Sequence, residues 1–265
     1  MNFDCMDESK IHPTAIINHR ARIGINVEVG PYSVIGPNVE VGDCCRIASH
    51  VVIDGNTIIG SGNRFFTGAV IGMEPQDMKY RGEKSFVLIG DNNTFREYVT
   101  VNRGTSGGGG VTKIGSHTLI MAYTHIAHDC IIGDNVIIAN STNMAGHVVI
   151  EDNAVLNGAT GIVQYIRVGR LAMTGGVTKL TKDLPPYVIA DGVPGRIRGV
   201  NLIGLERNGV TEPARLQIKK AFKILYRSGL TVDEAITRIE SACDACPEVL
   251  HLVAFLRNSA GGIMR

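Results

Sequence analysis

Apolar residues fall on every sixth position through most of the chain. Ile11, Ile17, Ile23, Val29, Ile35, Val41, Ile47, Ile53, Ile59, Phe65 and Ile71 form one unbroken run, and Ile89, Phe95 and Val101 continue it. After a shift of one residue the period resumes at Ile114 and runs through Ile120, Ile126, Ile132, Ile138, Met144, Ile150, Leu156, Ile162 and Val168 to Leu180, broken only by Thr174. A second stripe two residues earlier holds small or β-branched side chains, among them Val27, Ser33, Val39, Cys45, Thr118, Thr124, Cys130 and Thr142. Residues two apart on an extended chain share a face. One large and one small inward residue in every six therefore describe a short strand followed by a turn. Three such units close a triangular coil, and successive coils stack at about 4.8 Å. The pattern predicts a mainly β chain, a parallel β-helix filled by ladders of aliphatic side chains. Spacing alone does not set its hand.

Two segments leave the period, residues 73–86 and residues 102–113, the second carrying the run Gly107-Gly108-Gly109-Gly110. Excursions from a regular solenoid are often functional. The repeat fades after Pro185-Pro186, and the chain divides into a β-helix over residues 1–200 and a helical region over 201–265. In that region Thr211 before Glu212-Pro213 is a helix start. Thr231 and Glu234 have capping-box spacing, Gly229 separates these two helices, and a third is predicted from about Pro247 to Asn258.

Composition narrows the function classes. Lys plus Arg (26) nearly balances Asp plus Glu (25), which argues against a nucleic-acid binder. The stretch Met1–Glu8 is acidic and has no apolar h-region, and no apolar run is long enough to span a membrane. A cytoplasmic protein is expected. The six cysteines lack framework spacing and are expected to be free thiols, with Cys243 and Cys246 a lone CxxC rather than a zinc site.

Candidate chemistry concentrates in Thr124-His125-Ile126-Ala127-His128-Asp129-Cys130. Ile126 takes the inward position and Thr124 the small one, so His125 and His128 lie outside the ladders. One coil beyond His128 come Gly146 and His147, and two coils beyond comes Gln164. A polar column of this kind on an outer edge suits a substrate cleft.

His125-Ile126-Ala127-His128-Asp129-Cys130, the loop Gln76-Asp77-Met78-Lys79-Tyr80 and the stretch Asp183-Leu184-Pro185-Pro186-Tyr187-Val188-Ile189-Ala190 resemble the acyl-carrier-protein-dependent UDP-N-acetylglucosamine O-acyltransferases. The similarity extends through Gly199-Val200-Asn201, Gly204-Leu205 and Tyr226-Arg227-Ser228-Gly229, and covers almost the whole chain. It implies a left-handed parallel β-helix and a homotrimer. It also implies transfer of a 3-hydroxyacyl chain from acyl carrier protein to the sugar 3-hydroxyl, the first step of lipid A biosynthesis. No metal or cofactor is implied beyond the phosphopantetheine that carries the donor acyl group.

By the same resemblance His128 is the general base, Asp129 orients it, and the backbone N–H of Gly146 stabilises the oxyanion. His125, His147 and Gln164 line the sugar-nucleotide site, Asp77 and Lys79 contact sugar and phosphate, and Asn201 and Arg207 reach the uridine diphosphate. Gln76 and Gly176 belong to the acyl groove. Lys219, Lys223 and Arg227 share a helix face that suits an acidic carrier protein. Val163, Pro194, Ile203 and Asn208 stand where such enzymes usually carry other residues.

Three other readings compete. His125, His128 and His147 could ligate zinc, as in γ-type carbonic anhydrases. The related N-acyltransferases share the β-helix but carry an extra N-terminal domain, for which a repeat beginning at Ile11 leaves no room. A non-catalytic solenoid would have no use for the polar column.

Overall fold

The computed structural model describes residues 9–265. The readings of the N-terminal stretch and of Cys5 lie outside the described residues. From Lys10 onward, short strands build three sheets of eleven, nine and eight strands, and all but the last strand of the largest sheet pair in parallel with a counterpart one coil away. Ile11 aligns with Val29, Val29 with Ile47, and Ile47 with Phe65, so the aliphatic stripe stacks in register. The two excursions leave this register intact: Ile59 aligns with Ile89 across the first, and Ile89 with Ile114 across the second. Each excursion is extruded as a loop while the coils above and below still meet.

The interior is a single column of buried aliphatics from Val27 to Ala190. Polar members of the small stripe are satisfied along the stack, as buried groups must be. Asn93 donates from Nδ2 to the Gly115 carbonyl and accepts from the Thr118 N–H, at 2.9 and 2.8 Å. Thr174, the exception among the apolar positions, is fully buried and hydrogen-bonds to Thr160 through the two hydroxyls at 2.9 Å. The third residue after many large aliphatics takes a left-handed conformation to turn the corner, Asp129 (φ 59) and His147 (φ 63) among them.

After the last full coil the chain departs from the repeat. Val188–Asp191 pairs antiparallel with Arg196–Val200 and extends the largest sheet. Four helices follow: α1 (Leu202–Arg207), α2 (Glu212–Arg227), α3 (Val232–Ala242) and α4 (Pro247–Arg257). Helix α3 begins with the Thr231/Glu234 capping box expected from spacing. The short α1 was not legible in the pattern; Asn201 caps it. A second apolar core, including Leu171, Tyr187, Leu205, Leu225 and Leu256, joins the helices to the coil. Glu151 strengthens this junction, accepting from His251 of α4 and from the Arg170 N–H at 2.8 Å each. The chain then returns, and Met264 joins the β-helix core while its N–H donates to the Asp183 carbonyl. No helix among the described residues is long and apolar enough to cross a membrane.

One cysteine reading needs correction. Cys45, Cys130, Cys243 and Cys246 are free, whereas Cys44 is disulfide-bonded. A cross-link of this kind depends on a tertiary approach that sequence spacing does not register.

Candidate active site

His128 follows the inward Ile126 by two positions and lies outside the ladders, but it is not a surface histidine: only 6% of it is exposed. Its Nδ1–H donates to Asp129 Oδ2 at 2.8 Å. A carboxylate only accepts, so this contact leaves Nε2 as the unprotonated nitrogen of the neutral ring. The Asp129 side chain is fully buried. Its Oδ1 accepts from the Thr105 N–H at 2.9 Å and its Oδ2 from the Thr105 hydroxyl at 2.7 Å. Thr105 comes from the second excursion, which folds back over the coil. No spacing rule pointed to it; the glycine run beside it marked only that the coil was interrupted.

The neighbouring coils complete the column. Gly146 lies beside the His128 ring, and a Cβ there would fall 2.5 Å from Cε1 and 2.7 Å from Nε2. Gly146 is thus required for space, since its own φ is not positive. His147 meets His128 edge-on with ring centres 5.1 Å apart and stacks on Tyr165 at 4.5 Å. Its Nε2 lies 3.9 Å from Asp129 Oδ2. His125 hydrogen-bonds through Nδ1 to Thr100 Oγ1 at 2.7 Å. Burial holds the His125 imidazole below its ordinary pKa, and the nearby His128 adds to this. Desolvation also lowers His147, with Asp129 and Asp77 pulling the other way.

These residues open on a cleft of about 650 Å³ running along the outer face of one sheet. Gln76, His125, His128, Gly146 and Gln164 contribute its polar lining, while Ala159, Gly161, Val163, Val177 and Val193 make much of it apolar. An imidazole beside an apolar trough suits a polar acceptor and an aliphatic chain meeting at His128.

The remaining sequence candidates are placed differently. Asp77 turns its Oδ1 to the Lys79 N–H at 2.9 Å yet still acts electrostatically on His147, while the Lys79 side chain is exposed. Gly176 adjoins Val177 at the trough. Asn201 is buried, its amide accepting from the Gly204 N–H and donating to the Leu171 carbonyl. Arg207 is exposed in the last turn of α1. Neither Asn201 nor Arg207 lines the cleft of its own chain.

A parallel β-helix of six-residue repeats with an imidazole–carboxylate pair above an apolar trough defines a hexapeptide-repeat acyltransferase. The hexapeptide pattern of bacterial transferases matches residues 20–55 and 112–146, and the second domain of UDP-N-acetylglucosamine O-acyltransferase matches residues 183–264. The acyl-[acyl-carrier-protein]–UDP-N-acetylglucosamine O-acyltransferase of Thermodesulfovibrio yellowstonii is 44% identical over 97% of this chain and all of its own length. The enzyme of that name from Syntrophobacter fumaroxidans is 45% identical over the same shares. The crystal structure of the UDP-N-acetylglucosamine acyltransferase from Bacteroides fragilis superposes with a TM-score of 0.93 at 43% identity, covering 96% of this chain and 99% of that one. The chain belongs to the acyl-[acyl-carrier-protein]–UDP-N-acetylglucosamine O-acyltransferase family, and its coil is the left-handed parallel β-helix of that family.

Proposed function

We propose that the enzyme transfers a 3-hydroxyacyl chain from acyl carrier protein to the 3-hydroxyl of UDP-N-acetylglucosamine, the first step of lipid A biosynthesis, with His128 as general base. The observation that carries the mechanism is the buried His128–Asp129 pair at the mouth of the cleft. A sugar hydroxyl is a poor nucleophile until its proton leaves during attack on the thioester carbonyl. His128 Nε2 accepts that proton while Asp129 holds the ring and stabilises the imidazolium. The new ester C–O bond forms, the thioester C–S bond breaks, and the proton returns from His128 to the departing phosphopantetheine thiolate.

The Gly146 N–H makes no hydrogen bond among the described residues and supplies an oxyanion donor at the His128 end of the cleft. His125, His147 and Gln164, with Asp77 and Lys79 from the first excursion, surround the sugar nucleotide, and the apolar trough with Gln76 and Gly176 takes the acyl chain. The exposed Lys219, Lys223 and Arg227 on α2 offer a docking face to the acidic carrier protein.

The reaction needs no metal or cofactor of its own. His128, Asp129 and His147 do bring three ligand atoms within 4.8 Å of one another. Asp129 already accepts three hydrogen bonds, however, which supports an orienting role. The enzyme acts in the cytoplasm as a homotrimer. Val177 and Val193 are exposed along the trough, and Arg207 lies outside the cleft of its own chain, which supports a site completed by a neighbouring protomer. His128→Ala should lower kcat by about 10²–10⁴ while UDP-N-acetylglucosamine still binds. Near-normal turnover would overturn the mechanism, and stoichiometric zinc in the purified protein would redirect it to metal chemistry.

A further inference from the structure

We infer that Thr105 is a positioning residue for the His128–Asp129 pair, held in place by Glu83 across the two excursions. The inference rests on the reading of His128 as general base and extends it to a part of the chain outside the coil. Asp129 Oδ2 receives two donors, the Thr105 hydroxyl at 2.7 Å and His128 Nδ1–H at 2.8 Å, while Oδ1 receives the Thr105 N–H at 2.9 Å. One residue thus grips both oxygens of the carboxylate and sets its plane. With Asp129 rotating freely, the imidazole would lose its aim at the acceptor.

The second excursion is shaped for this grip. A Cβ at Gly108 would lie 2.1 Å from Asp129 Cγ, and one at Gly104 would lie 2.8 Å from Oδ1. The glycines let the loop close tightly over the carboxylate, with the Gly108 N–H turning back to the Thr105 carbonyl at 3.1 Å.

The loop is anchored in turn by the first excursion. Glu83 Oε1 accepts from both the N–H and the hydroxyl of Ser106, next to Thr105, at 3.2 Å each. Its Oε2 accepts from the Arg81 N–H at 2.8 Å. These donors, the Arg81 N–H first, hold the Glu83 carboxyl down to about 2, so the anchor stays ionised throughout the working range. Arg103 adds a second tie, donating to Tyr80 Oη at 3.0 Å and to the Gly72 carbonyl at 2.9 Å. The excursion that carries Gln76, Asp77 and Lys79 is therefore joined mechanically to the one that orients the base.

The test compares Thr105→Val, Thr105→Ser and Glu83→Ala with wild type and His128→Ala in the full-length enzyme, with 3-hydroxyacyl carrier protein and UDP-N-acetylglucosamine as substrates. Thr105→Val keeps the shape and the N–H donor but removes the hydroxyl. It should lower kcat roughly tenfold or more, the scale of one hydrogen bond to a charged group, with KM for the sugar nucleotide nearly unchanged. Thr105→Ser should restore the rate, because its hydroxyl can make the same bond to Asp129. Glu83→Ala, on an exposed loop, should lower kcat about threefold or more through the weakened anchor, again on the scale of a lost hydrogen bond to a charge. This arm decides the matter if Thr105→Val does not fold. A dead His128→Ala beside an unaltered Thr105→Val, or beside an unaltered Glu83→Ala where Thr105→Val does not fold, would overturn the inference and leave the base assignment standing. An active His128→Ala would remove both.

Discussion

Gly146→Ala tests the geometry of the site most directly. The substitution keeps the backbone N–H proposed for the oxyanion, and the φ of Gly146 is one that alanine accepts. The only new element is a methyl group, placed 2.5 Å from His128 Cε1, 2.7 Å from Nε2 and 3.0 Å from Nδ1. Carbon atoms rest at about 3.5–4.0 Å, so the ring must move by roughly 1 Å. It is not a flexible chain end, because Nδ1 is tied to Asp129 at 2.8 Å. A shift of about 1 Å away from the methyl stretches that bond beyond the useful range and takes Nε2 off the acceptor hydroxyl. Misplacement on this scale costs about a hundredfold in rate, equivalent to about 2.7 kcal/mol in the barrier. The ring can relax toward the cleft, so the loss in folding stability should stay near the lower end of the ~1–3 kcal/mol typical of overpacking. The assay is steady-state kcat and KM with both substrates, alongside thermal melting. Turnover within threefold of wild type, with an unchanged Tm, would show that the His128 position does not set the rate.

At Gly176, a Cβ would meet nothing closer than the Gly158 carbonyl at 3.7 Å. Gly176→Met should therefore fold normally and shorten the trough. Competition between hydroxyacyl carrier proteins of about ten and fourteen carbons should then reverse a preference worth up to roughly a hundredfold, about four methylenes of burial. His125 and His147 both sit below the ordinary 6.5 because burial disfavours their charged forms. Below that pH the unfolded chain binds more protons, so stability should fall as pH drops from 6.5 toward their lowered folded values and level off above it. The Tm-versus-pH curve should flatten in His125→Gln/His147→Gln, and an unchanged slope would refute the assignment. Asn93→Ala leaves the Thr118 N–H and the Gly115 carbonyl without their side-chain partner inside the coil. It should cost about 2–5 kcal/mol in denaturant unfolding, whereas a loss under about 1 kcal/mol would mean that the stack tolerates the vacancy.

The hexapeptide stripe was readable because the β-helix is one local rule repeated. Each large aliphatic meets its counterpart one coil away, so periodicity along the chain is also contact in space. Hence Ile11, Val29 and Ile47 align as their spacing predicts, and His128, Gly146 and Gln164 line the same cleft. The Thr231/Glu234 cap was equally legible, being a contact between residues three apart.

The period could not foretell what the excursions do. Where a loop lands after leaving the coil is not set by the repeat, and only the tertiary structure places Thr105 on Asp129 and Glu83 on Ser106. The same holds for exposure. Spacing sent His128 outward, but whether an outward side chain meets water depends on what folds over it. Gly146 and His147 pack against its ring, and it is almost wholly covered. Asn201 shows the same dependence: only the folded chain brings its amide to cap α1 and to meet the Leu171 carbonyl. Sequence determined the coil because its interactions repeat at fixed separation. The tertiary structure decided how the base is held, because those contacts join segments whose separation along the chain follows no rule.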